Sequence, residues 1–209
     1  MNEDVLLSLK NCQFEQVPFK HWKINNVFSS HIYKALVDLP LDPPESYGLD
    51  GKRISGASRI FFTRENCSRF SVCDEVVNIF QSPEVILSLE RLLDINLSNS
   101  YLRIGYYVDK MGFWLKPHTD LDVKLLTMTI YLYKKLESDD IGTDLFDEEL
   151  NLVLTAPSRN NSGLIFIPGK NTWHGLNEKH FAGLRKLLII NYVTSKWENI
   201  EELCYSTIY

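Results

Sequence analysis

From residue 101 onward the chain is cut into short runs of β-branched and aromatic residues, and this pattern limits its folds more than any other feature. Tyr101 to Val108, Lys124 to Tyr133, Leu150 to Thr155, Leu164 to Ile167 and Leu184 to Val193 are separated by Gly, Pro, Asn or Asp. No helical apolar period runs between them, which favours antiparallel pairing over parallel strands joined by crossover helices. The expectation is an antiparallel sandwich or barrel such as a jelly roll.

Helix signals are confined to the first hundred residues. Val27, Ile32, Leu36 and Leu39 recur at roughly helical spacing behind a Ser29 or Ser30 cap, and Pro40 ends the run. Ser82-Pro83-Glu84 opens a second helix whose apolar face is Val85, Ile86, Leu89, Leu92 and Leu93. A shorter helix is predicted over Val72 to Phe80, a loop over Leu41 to Gly56 and a strand over Arg59 to Thr63. Helices first and strands after, with no Gly/Ser-rich linker, predict one α+β unit, mainly β, with the helices packed outside the β core. Residues 1–100 would be a helical support and candidate substrate cap, 101–194 the β core and 195–209 a tail, together a single domain over 1–209.

A chain of 209 residues with 44% apolar side chains can bury roughly 70% of its unfolded surface and needs no disulfide staple. Its net charge of −5 argues against nucleic acid, whose binding rests on neutralising phosphates. There is no apolar run of membrane-spanning length, and the opening Met1-Asn2-Glu3-Asp4 is acidic where a signal peptide carries positive charge, so a cytoplasmic protein without a membrane partner is expected. Cys12, Cys67, Cys73 and Cys204 lack the two-residue spacing of zinc or redox pairs and read as reduced thiols.

Chemistry concentrates on His118-Thr119-Asp120 and His174. On an extended chain residues i and i+2 point the same way, so His118 and Asp120 can share one ion, and His174 follows the run Leu164 to Ile167 and Pro168-Gly169 at a strand end. Two histidines and one carboxylate form the facial triad of non-haem Fe(II) oxygenases, with open metal positions for reactants. Chance pairing and ordinary surface or core histidines are the competing reading. Arg185 begins the apolar strand Arg185-Lys186-Leu187-Leu188-Ile189-Ile190-Asn191, where a charge needs an anion. That anion is a ligand carboxylate or an internal Asp or Glu, while Lys186 should face outward. Alternation puts Thr127, Thr129 and Tyr131 on one face.

Lys116-Pro117-His118-Thr119-Asp120, then Leu125 to Leu132, then Gly163-Leu164-Ile165-Phe166-Ile167-Pro168, His174 and Arg185 follow in the order found in the 2-oxoglutarate- and Fe(II)-dependent oxygenases. Residues 101–194 resemble that superfamily, near its prolyl-hydroxylase-like branch. The resemblance implies a double-stranded β-helix, cupin-like core, with iron held by His118, Asp120 and His174, which are also the catalytic set. It implies that 2-oxoglutarate chelates the iron and that Arg185 binds its 5-carboxylate, with Thr129 and Tyr131 on the face beside it, Tyr131 being either the co-substrate tyrosine or a sheet aromatic that fills the core. Tyr107 resembles a further aromatic of the family site, although the loop before His118 differs in length and Tyr106 is the alternative. Asn191 shares the face of Arg185 and either reaches the pocket or satisfies backbone groups.

The activity so implied is hydroxylation of a C–H bond with Fe(II), 2-oxoglutarate and O2, releasing succinate and CO2, on a small-molecule or peptidyl substrate. Activity is expected to fall as His118 and His174 protonate in mild acid. The rival is a non-catalytic or 2-oxoglutarate-independent cupin-like metal-binding β-barrel. Lys52, Arg53, Arg59, Arg64 and Arg69 are solvated surface or a cap favouring an anionic substrate. Trp114 and Trp173 either wall a pocket or pack, His180 reads as a surface loop, and the acidic stretch 137–149 reads as a solvated loop in which Gly142 to Leu145 can form a rim strand.

Overall fold

The computed structural model describes residues 2–40, 51–52, 59–133, 141–179 and 183–205. The first half carries α1 (Glu3–Lys10), β1 (Gln13–Glu15), β2 (His21–Asn25), α2 (Ser30–Val37), β3 (Arg59–Phe61), α3 (Arg64–Arg69), α4 (Ser71–Phe80) and α5 (Pro83–Leu93). The second half carries β4 (Tyr101–Lys110), β5 (Leu115–His118), β6 (Lys124–Tyr131), β7 (Asp144–Phe146), β8 (Leu152–Thr155), β9 (Ser162–Phe166), β10 (His174–Leu176) and β11 (Leu184–Val193). A 3₁₀ turn, Ile200–Glu202, follows.

The strands form two antiparallel sheets, ordered β1-β2-β9-β6-β11-β4-β3 and β5-β10-β7-β8. The order interleaves strands distant in sequence, as a jelly roll does. Alternation divides the large sheet into two environments. Leu102, Ile104, Tyr106 and Val108 of β4, Leu126, Met128 and Ile130 of β6, and Leu188, Ile190 and Tyr192 of β11 share the main core with apolar residues of α2, α4 and α5. The opposite face carries Arg103, Tyr107 and Asp109, then Thr127, Thr129 and Tyr131, then Arg185, Leu187, Ile189 and Asn191, which are set side by side by the β11 register.

The helices begin where their caps dictate. Ser29 Oγ accepts from the Ile32 amide ahead of α2, and Pro83 opens α5 behind Ser82. Buried tyrosines tie helices to sheet: the Tyr106 hydroxyl donates to the Leu36 carbonyl at 3.1 Å, and the Tyr192 hydroxyl donates to that of Phe80.

Residues 1–100 are more than helical. β2 extends the large sheet beside β9, and β3, lying within the strand expected over Arg59 to Thr63, flanks β4. These strands are short, so tertiary pairing rather than local period makes them. The acidic stretch also departs from a solvated loop: Asp144 on β7 is fully buried, accepting from Lys179 Nζ at 2.6 Å and the Asn177 amide at 2.7 Å. Glu137, Asp139 and Asp140, most of the 41–56 loop, Arg53, His180 and the last four residues of the tail lie outside the described residues. Among the described residues no helix is long and apolar enough to cross a membrane. All four cysteines are free, and burial pushes the thiols of Cys67 and Cys73 up to about 11 and about 12.

Candidate active site

β5 and β10 pair antiparallel with His118 opposite His174, and the two rings lie 4.4 Å apart between centroids. Gly175 allows this approach, because a Cβ there would stand 2.7 Å from the Leu115 carbonyl oxygen. Asp120 follows β5, and one ligand atom from each of His118, Asp120 and His174 lies within 4.8 Å of the others. His118 Nδ1 faces the Lys116 carbonyl at 2.9 Å, and His174 Nδ1 faces that of Thr172 at 2.9 Å. A carbonyl only accepts, so each Nδ1 carries the proton and each Nε2 keeps its lone pair for a metal.

Electrostatics favour the ligand forms. Burial lowers the His174 pKa to about 4, against the opposing pull of Asp120, so its imidazole is neutral near pH 7. Burial alone would raise the Asp120 pKa, but Lys124 and His174 together with the hydrogen bonds hold it well below the usual carboxylate range. Lys124 Nζ donates to Asp120 Oδ1, and Thr127 Oγ1 donates to Oδ2 at 2.6 Å. Two imidazoles and one oriented carboxylate suit Fe(II), and also Mn(II) or Zn(II).

The three residues open onto a cavity of about 470 Å³, within the usual size range of small-molecule sites. Tyr107, Thr129 and Arg185 line it. Tyr106 points the other way, into the helix layer, which settles which of the two tyrosines faces the cavity. Arg185 is 2% exposed and already has an internal anion: Nη1 donates to Asp109 Oδ2 at 2.6 Å and Nε to the Ile141 carbonyl at 2.7 Å. Its guanidinium carbon lies 6.0 Å from the Tyr131 ring centre.

Tyr131 and Asn191 do not line the cavity. The Tyr131 hydroxyl donates to Thr143 Oγ1 and accepts from the Thr143 amide, both at 2.9 Å, inside an apolar cluster with Tyr107, Tyr133, Ile141 and Leu187. Asn191 is fully buried and links neighbours instead: Oδ1 accepts from Arg103 Nη1 at 2.9 Å, and Nδ2 donates to Thr127 Oγ1 at 2.9 Å. Trp114 and Trp173 are half-buried off the cavity, and Arg64 and Arg69 are exposed away from it, whereas Lys52 and Arg59 line it.

Sequence reasoning missed Arg103 and Trp197, which also line the cavity, and Glu202, the partner of Arg103 at 2.7 Å. A signal for Arg103 exists. It interrupts the apolar strand Tyr101-Leu102-Arg103-Ile104, so the rule that a charge on such a strand needs an anion applies to it as it does to Arg185.

No family model matches the sequence, and no curated protein matches it in a sequence search. The structure is similar to a Pseudomonas putida prolyl-4-hydroxylase, with TM-score 0.57, 13% identity and coverage of 93% of this chain and 99% of that one. It is similar to a Trichoplax adhaerens prolyl hydroxylase in complex with a hypoxia inducible factor peptide, with TM-score 0.55, 17% identity, and 93% and 90% coverage. It is also similar to a viral collagen prolyl hydroxylase from Paramecium Bursaria Chlorella virus-1 in a 2-oxoglutarate complex, with TM-score 0.56, 16% identity, and 83% and 96% coverage. At these identities the likeness establishes the fold: the chain is built on the double-stranded β-helix of the prolyl hydroxylases.

Proposed function

We propose that the protein is an Fe(II)- and 2-oxoglutarate-dependent dioxygenase that hydroxylates a C–H bond of a substrate admitted to the cavity. The observation that carries this reading is the convergence of His118, Asp120 and His174 within 4.8 Å, with both Nδ1 protons tied to carbonyls. The fold shared with prolyl hydroxylases, one seen with a peptide and one with 2-oxoglutarate, supports the same class.

In this reading His118, Asp120 and His174 would hold the iron and leave adjacent positions open. Bound iron supplies the coupling of O2 to 2-oxoglutarate cleavage, one oxygen atom entering the substrate C–H bond as hydroxyl and the other the succinate formed with CO2. The protein's part is geometry and exclusion of water. Thr127 and Lys124 fix the carboxylate of Asp120. Thr129, Leu187 and Ile189 wall the path from the metal ligands to Arg185, whose remaining N–H groups suit the 5-carboxylate. Tyr107 walls the same cavity.

Anaerobic titration of the Fe(II) protein with 2-oxoglutarate tests the reading through the weak visible charge-transfer band of the chelate. His174→Ala should abolish both the band and succinate release; full turnover in that variant refutes the assignment. One observation favours a second reading, a cupin-like metal enzyme that does not use 2-oxoglutarate: Asp109 already neutralises Arg185. Correctly loaded iron with no band would select it.

A further inference from the structure

Two arginines share one carboxylate at the cavity wall. Arg103 on β4 donates through Nε to Glu202 Oε2 at 2.7 Å, and Arg59 on β3 reaches Oε1 through Nη2 at 3.4 Å. Glu202 comes from the turn after β11 and is 6% exposed, while Arg103 is 4% exposed. One carboxylate cancels one guanidinium. Arg103 is buried while Arg59 keeps 20% of its side chain exposed, so the excess positive charge faces the cavity, and an arriving anion pairs with it there.

The cluster is built before any ligand arrives. The guanidinium carbon of Arg103 lies 4.6 Å from the Phe61 ring centre and 4.8 Å from that of Trp197, and its Nη1 is held by Asn191. Arg59 lies over the same Phe61 ring at 5.0 Å, and its buried Nε has no hydrogen-bond partner among the described residues. Both arginines line the cavity that contains His118 and Asp120.

Among the described residues, the other carboxylates near this wall have cationic partners of their own. Asp109 pairs with Arg185 and Asp120 with Lys124. In the oxygenase reading the two positive charges of Fe(II) and the two negative charges of 2-oxoglutarate cancel each other. The wall formed by Arg59 and Arg103 therefore favours a further anion beside 2-oxoglutarate, and the substrate is the molecule that remains to bring it.

We infer that the substrate is a small carboxylic acid whose carboxylate seats against Arg59 and Arg103, leaving its C–H bonds toward the metal ligands. The inference rests on the oxygenase reading and narrows it, because a peptide backbone is neutral and a free carboxylic acid brings the charge to this wall itself. Planar guanidinium groups accept a carboxylate through paired N–H donors, so an acid is selected over its amide.

The test uses Fe(II) protein saturated with 2-oxoglutarate, which occupies the other anion site. Glycine, the nineteen standard L-amino acids and benzoate, each beside its primary amide, are the probes. Binding is read anaerobically from displacement of the charge-transfer band, and turnover from succinate released after O2 is admitted. At least one acid should bind tenfold or more tightly than its amide and raise succinate release. Arg59→Gln should weaken that acid at least tenfold and Arg59→Lys should recover part of the loss, while the 2-oxoglutarate titration stays within twofold. No acid preferred over its amide, or a preference unchanged in Arg59→Gln, overturns the inference and leaves the oxygenase reading standing. Failure of the 2-oxoglutarate band itself overturns both.

Discussion

Asp109 and Arg185 are direct register partners across β4 and β11, and their side chains meet at 2.6 Å with almost no exposure to water. The carboxylate keeps the guanidinium neutralised inside an aromatic cluster. It also opposes a second carboxylate at the same guanidinium, so Asp109 would set the affinity for the co-substrate.

Asp109→Asn separates these effects. Removing one charge of a buried pair costs about 3–5 kcal/mol, and the retained amide oxygen keeps the loss toward the lower end. The melting temperature should fall, while 2-oxoglutarate binds the metal-loaded variant about tenfold more tightly than the parent. Saturating co-substrate then restores about 2.7 kcal/mol at a hundredfold excess over Kd. Calorimetry and binding titration read both effects, and unchanged or weaker binding removes Arg185 from the co-substrate site.

Thr127 connects the Asp120 carboxylate to the interior. Its hydroxyl donates to Asp120 Oδ2 at 2.6 Å and accepts from Asn191 Nδ2 at 2.9 Å. Thr127→Val keeps the shape and deletes both bonds. Metal affinity, measured by chelator competition, should drop about 10- to 100-fold, as for other groups that orient a ligand. An unchanged affinity means that Lys124 alone orients Asp120.

The pH dependence of the metal-free protein follows from His174. Its folded pKa of about 4 lies below the unfolded value of about 6.5, so the unfolded chain takes the proton first as pH falls. The stability contribution is complete above about pH 6.5 and is lost on the way to pH 4, with about 2 kcal/mol gone by pH 5. His174→Gln should reduce the loss between pH 7 and pH 5 by that amount in urea titrations. The expectation that His174 protonates in mild acid is thereby corrected, since burial keeps it neutral to lower pH.

Gly175 is a packing requirement. A Cβ would sit 2.7 Å from the Leu115 carbonyl oxygen and 3.1 Å from that of Lys116, and backbone atoms yield little. Gly175→Ala should push β10 from β5, costing about 1–3 kcal/mol and weakening metal binding at least tenfold. Circular dichroism should still report the native secondary structure.

Where the chain's chemistry is local, its order alone was informative. The period-two runs predict β4, β6, β9 and β11 to within a few residues, and the Ser82-Pro83 start marks α5. His118-x-Asp120 and the later His174 nominate the three side chains that converge in space, because an extended chain puts alternate residues on one side. The short strands β5 and β10 were not legible, since Leu115-Lys116-Pro117-His118 and His174-Gly175-Leu176 hold none of the β-branched residues that mark β3 and β8, and their pairing supplies the stability.

The sequence by itself determined the alternation, and therefore which side chains share a face: Thr127 with Thr129, Arg185 with Asn191. Only the tertiary structure decided what those faces meet. It gave Arg185 the internal partner Asp109, turned Tyr107 rather than Tyr106 to the cavity, and brought Arg59, Arg103 and Glu202 together across up to 143 residues of chain. The physical reason is that an ion pair or ring contact depends on separation in space, whereas a sequence states separation along the backbone.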